Sequence, residues 1–112
     1  MDKSLKYRRI LVGFLEECAA TPYAKQPDLK KQVVIDTKRH HYQLLSVGWF
    51  KETFACDIIF HFDIVEDKVW IQQNNTELQI ADELIERGIK ASDIVIGFYP
   101  PEARELVKHA IA

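Results

Sequence analysis

Residues 54–62 read Phe-Ala-Cys-Asp-Ile-Ile-Phe-His-Phe, and within them Phe54, Cys56, Ile58, Phe60 and Phe62 recur at every second position. That period belongs to a pleated strand, whose side chains alternate between two faces, and not to a helix. The five residues are expected to face a core together, leaving Thr53, Ala55, Asp57, Ile59, His61 and Asp63 on the other side. Such a strand needs neighbours, and Lys31 to Ile35, His41 to Trp49 and Lys68 to Gln73 supply three. The turns between these segments are too brief for crossovers, so the four strands are expected to form an antiparallel meander.

Helical spacing brackets the strands. Tyr7, Leu11, Phe14 and Cys18, widened by Ile10 and Leu15, form the apolar stripe of a long N-terminal helix from Asp2 to about Ala20, stopped by Thr21-Pro22. Lys3, Lys6, Arg8 and Arg9 fall largely on its other side. Thr76 and Gln79 have the spacing of a capping box, which predicts a second helix with Leu78, Ala81, Leu84 and Ile85 buried and Gly88 at its end. Ile94 to Phe98 reads as a short extra strand, and Pro100-Pro101 opens a last helix with Ala103, Leu106, Val107 and Ala110 on one face. The expected fold is α+β: a four-stranded antiparallel meander, a long first helix, two further helices and a short extra strand.

Size and composition narrow the class. With 112 residues, 47% of them hydrophobic, the chain is read as one domain, 1–112, that buries roughly 65% of its unfolded surface. No apolar run approaches the ~20 residues of a membrane span, and the first residues lack the apolar stretch of a secretory signal. A cytoplasmic protein is expected. Cys18 and Cys56 each fall in an apolar pattern and are read as buried, reduced thiols. The net charge of −2 argues against a strongly basic nucleic-acid binder, although the first half of the chain is net basic and the second net acidic.

Side-chain parity marks one unusual surface. Trp70 and Gln72 must point away from Val69 and Ile71, and the same parity, carried across plausible pairings, places Val34, Tyr42, Leu44 and Ile59 with them. An antiparallel sheet ordinarily solvates its second face with polar groups, so Tyr42, Leu44, Ile59, Trp70 and Gln72 are expected to contact a partner.

Other constellations carry chemistry less well. Asp57 with Glu66 and Lys68 resembles the acidic residue and Glu-x-Lys of Mg2+-dependent nucleases, but Glu66 and Lys68 flank a turn rather than project from a fixed strand. The basic first helix could contact phosphates. His40, His41, His61 and Asp63 could attract a metal, yet adjacent His40 and His41 face opposite ways in an extended segment and no paired-ligand spacing supports zinc. Four glycines form no phosphate loop. No catalytic residue, metal or cofactor is expected.

Three stretches together carry a resemblance: His41-Tyr42-Gln43-Leu44-Leu45-Ser46-Val47-Gly48-Trp49, Val69-Trp70-Ile71-Gln72-Gln73-Asn74-Asn75-Thr76-Glu77, and Asp93-Ile94-Val95-Ile96-Gly97-Phe98-Tyr99-Pro100-Pro101-Glu102. In this order they resemble the XisI family, the cyanobacterial fdxN-element excision controlling factors. The similarity runs from about Leu5 to Ala112. Ala55 stands where the family commonly has glycine, and Tyr99 where it often has histidine. The resemblance implies a non-enzymatic accessory factor in DNA rearrangement during heterocyst differentiation, with a site-specific recombinase doing the strand chemistry. It further implies an XisH-like protein as partner, with a homo-oligomer or indirect association with a recombinase–DNA complex as further possibilities, and no membrane partner.

Overall fold

The computed structural model describes residues 3–103. Helix α1 spans Lys3–Ala19 and is followed by β1 (Leu29–Asp36), β2 (His41–Phe50), β3 (Thr53–Val65) and β4 (Lys68–Asn74). Helix α2 (Ile80–Glu86), a 3-10 turn at Ala91–Asp93 and β5 (Ile94–Ile96) complete the order. All five strands form one sheet, arranged β1-β2-β3-β4-β5. The first four pair antiparallel, as expected, but β5 joins β4 in parallel, Val69 opposite Ile94 and Ile71 opposite Ile96. The four-stranded antiparallel meander is thus corrected to a five-stranded mixed sheet. A parallel partner needs a long return connection, and the segment holding α2 supplies it.

Both described helices cover the same side of the sheet. Tyr7, Leu11, Phe14 and Leu15 are the buried residues of α1, and the Phe14 ring lies 5.5 Å from that of Phe60 and 6.3 Å from that of Phe62. Ile80 and Leu84 of α2 join the same core, with Ile64, Val69, Ile71, Ile89, Ile94 and Ile96. Each such side chain contributes about 1.5–3 kcal/mol by leaving water. Helix α2 starts later than the capping box predicts. Thr76 Oγ1 accepts from the Leu78 amide and donates to Asn74 Oδ1, so it shapes the loop before the helix, and Leu78 stays exposed. Gly88 ends the helix at φ 114°, a conformation that favours glycine. Of the last helix only residues up to Ala103 are described, where the Ala103 amide bonds Pro100 O; Leu106, Val107 and Ala110 lie outside the described residues.

Register, rather than strand assignment, decides what each face carries. Leu44 pairs with Phe60 but Leu45 pairs with Ile58, so Ile59 is an extra residue in β3. Such a bulge reverses the alternation on either side of it. Phe60, Phe62 and Ile64 point into the core, whereas Phe54, Cys56 and Ile58 point out, with Phe54 55% exposed. The expectation that all five alternating residues of β3 share the core face fails for this reason. Cys56 is an exposed thiol, not a buried one, and Cys18 is half-buried.

The same register corrects the expected partner-contact set. Tyr42 pairs with Phe62 and Leu44 with Phe60, so both lie on the core face and are fully buried under α1, with 0% and 1% of their surface exposed. Ile59 packs against that core from the bulge. Only Trp70 and Gln72, with exposed Val34, keep the outward placement that parity gave them.

Candidate functional site

The outer face of the sheet has two ends of opposite chemistry. Near the β2–β3 hairpin it is apolar. Leu45, Val47 and Trp49 of β2 pair with Ile58, Cys56 and Phe54 of β3, and the Trp49 and Phe54 rings meet edge to face with centroids 5.5 Å apart. Trp49 is 53% exposed, and Phe50 at the tip is exposed as well. The two paired rings alone leave on the order of 200 Å2 of aromatic surface to solvent. The hairpin is tied near its tip to the segment before β1: the Trp49 amide bonds Asp28 O at 3.1 Å, and a Cβ on Gly48 would collide with that same oxygen. A contiguous apolar patch with a central tryptophan has the composition of an interface core.

The other end is polar. Asp63 of β3 sits opposite His41 of β2 in the ladder and two residues beyond His61 on the same strand, so all three side chains leave one face. Asp63 Oδ1 lies 2.7 Å from His41 Nδ1 and 2.7 Å from His61 Nε2. Gln72, the extra residue of a second irregularity between β3 and β4, donates to Asp63 Oδ2 at 3.2 Å. Burial works against the ionised form of Asp63. Hydrogen bonds from His41 and His61, the His61 charge and the Gln72 amide together outweigh it, and hold the carboxyl below its usual range. With Asp63 ionised, both imidazoles present an N–H to it, and Gln43 Nε2 lies 2.8 Å from His61 Nδ1, which accepts from it when the ring is neutral.

Neighbouring backbone braces this cluster. The Gly97 amide donates to Ile71 O at 2.8 Å, and a Cβ on Gly97 would strike the Gln72 side chain. A shallow hollow of about 250 Å3, lined by Gln72, Gln73, Asn74 and Phe98, opens beside Gln72.

A third polar group is closed rather than open. Asp93 is buried at the end of the 3-10 turn, where Tyr7 Oη donates to its Oδ2 at 2.5 Å and Lys3 Nζ lies 3.2 Å away. Burial raises the Asp93 carboxyl, but the Tyr7 and Lys3 hydrogen bonds and the Lys3 charge pull it below its ordinary value. This group ties α1 to the start of β5.

The structure does not bring the nuclease-like set together. Asp57 lies near one end of β3 and Glu66 in the turn past its other end, roughly 25–30 Å apart at the rise of an extended strand. Glu66 and Asp67 form the turn itself, with φ 51° and 62°. The basic helix face is thinner than its sequence implies, because Lys3 is committed to Asp93 and Arg8 is half-buried, leaving Lys6 and Arg9 exposed. His40 stands apart from the cluster, its Nδ1 2.8 Å from the Tyr42 hydroxyl. The sequence offers His40, His41, His61 and Asp63 together, and the structure joins the last three while His40 faces away. The legible signal is His61-x-Asp63, which shares a strand face by period two.

Comparison with known proteins follows the same lines. The family model described as XisI protein matches residues 1–111. No match was found among curated proteins. Among solved structures, the chain is similar to a XisI-like protein from Anabaena variabilis ATCC 29413, at 35% identity over 92% of this chain and 94% of that one, with a TM-score of 0.84. It is also similar to the fdxN element excision controlling factor XisI from the same organism, at 31% identity over 99% of this chain and 100% of that one, with a TM-score of 0.79.

Proposed function

The chain belongs to the XisI family, and from that premise we propose that it is a non-catalytic control factor for excision of a DNA element, acting by protein contact through the apolar end of its outer face. The proposed partner is an XisH-like protein, and the strand chemistry belongs to a site-specific recombinase acting during heterocyst differentiation. A relative 31% identical over nearly the full chain carries the name of an excision controlling factor, which supports the control role. The observation that carries the contact surface is the half-exposed Trp49–Phe54 pair, held in place by the Trp49 amide bond to Asp28 O. Aromatic residues at the centre of an interface contribute most of its binding energy, often 2 kcal/mol or more each, which is ~30-fold in affinity. No described helix is long and apolar enough to cross a membrane, in keeping with the cytoplasmic site of action proposed here.

Copurification with an XisH-like protein tests the reading. The wild-type chain is expected to retain the partner, and Trp49→Glu and Phe54→Glu to lose it while keeping the wild-type melting temperature. Retention by both variants would remove the hairpin from the account. Elution of the wild-type chain alone as a dimer that Trp49→Glu converts to monomer would assign the patch to a second copy instead.

A further inference from the structure

We propose that His41, His61 and Asp63 form a binding site for a first-row divalent transition-metal ion of the zinc type. Their ligand atoms, His41 Nδ1, His61 Nε2 and a carboxylate oxygen of Asp63, all lie within 4.8 Å of one another. Two imidazoles and one carboxylate are the donor set that suits zinc and its neighbours, rather than Mg2+ or Ca2+, which prefer oxygen alone.

The geometry asks for movement chiefly of one side chain. Zinc holds nitrogen and oxygen donors at about 2.0–2.1 Å in a tetrahedron, which places the donors about 3.3 Å from each other. The two 2.7 Å nitrogen–oxygen contacts therefore have to open by about 0.6 Å, and the two ring nitrogens, within 4.8 Å of each other, have to settle at that same spacing. His41 supplies the freedom to do this, since its side chain is 49% exposed, whereas that of Asp63 is 16% exposed and fixes the position of the site.

Protons balance without a further reagent. Each neutral imidazole turns a lone pair to the ion and carries its N–H on the other ring nitrogen. For His61 that nitrogen is Nδ1, and the Gln43 side chain already rests 2.8 Å from it. Rotation of the Gln43 amide replaces its NH2 with its carbonyl oxygen, which accepts the new N–H. Gln72 holds the second carboxylate oxygen. These are the supporting contacts that orient metal ligands, and their loss costs 10–100-fold in metal affinity elsewhere. Three protein ligands leave at least one coordination position open toward solvent.

The test uses the full-length, untagged protein, freed of metal by chelation and titrated with Zn2+ in a calorimeter. Co2+, which reports coordination by its visible absorption, serves as a second probe. One equivalent of Zn2+ per chain is expected, with a shift of the His41 and His61 ring-nitrogen resonances to the opposite tautomers. His41→Ala, at a half-exposed position outside the core, is expected to abolish one-to-one binding in a chain that still folds, and Gln43→Leu to weaken it about tenfold. A folded wild-type chain that takes up no Zn2+ overturns the proposal. So does stoichiometric uptake unchanged in both His41→Ala and His61→Ala, which would place the ion elsewhere, as on Cys18, Cys56 or His40.

Discussion

Trp49 and Phe54 stand half out of the sheet at the hairpin end of its outer face; farther along the same two strands, His41, His61 and Asp63 close on one another through hydrogen bonds of 2.7 Å. The same backbone carries both. What separates them is the single extra residue at Ile59, which turns the apolar alternation of β3 outward on the hairpin side and inward on the other. On the inward side the positions left facing solvent are filled by His and Asp. One bulge thus gives a single face a surface suited to another protein and a cluster suited to an ion.

The largest expected effect lies at the residues flanking the register shift. Leu44 is buried and adjacent Leu45 faces out, so Leu44→Ala is expected to cost about 3 kcal/mol in denaturant unfolding and Leu45→Ala less than 1 kcal/mol. Equal losses would mean that the faces have been misassigned. Next in size is the closed aspartate. Asp93→Ala leaves the Tyr7 hydroxyl buried without its acceptor and is expected to cost about 2 kcal/mol, whereas Trp49→Glu is expected to leave stability within about 0.5 kcal/mol.

Acid sharpens the contrast between the two aspartates. Both carboxyls are held below their unfolded value of about 3.9. Each therefore contributes stability that is present above about pH 4 and is lost as pH falls through its folded-state value. Melting temperature measured from pH 6 down to pH 2.5 is expected to fall less steeply in Asp93→Asn and in Asp63→Asn than in the wild type. A modest effect belongs to Arg87, which holds exposed Glu17 through two hydrogen bonds, at 3.0 and 3.2 Å, and lies over the Phe14 ring. Arg87→Ala is expected to cost no more than about 1 kcal/mol by the same unfolding assay.

Periodicity alone identified the elements but not their faces. The stripe of α1 and the existence of all five strands follow from spacing, because burial of one face imposes it. Tyr42 and Leu44 were expected outside and lie inside, since a strand pattern says nothing of where an extra residue enters, and one insertion exchanges every side chain beyond it. The parallel seat of β5 depends on where α2 returns the chain, which no local pattern encodes. Thr76 shows a limit of another kind: its capping spacing is real, but its hydroxyl is engaged by Asn74 and Leu78 in the loop. The His41, His61 and Asp63 cluster was legible in part, as two same-face residues on β3, while the third member needed the register of β2 against it.

Hydroxyl-radical labelling of Trp49 and Phe54, in the free chain and in a complex with an XisH-like protein, tests the contact surface most directly. Strong labelling of both rings is expected in the free chain and marked protection of both in the complex, with buried Tyr42 unreactive throughout. Equal labelling of Trp49 and Phe54 in the two states, with protection confined to another surface such as the exposed face of α1, would contradict it.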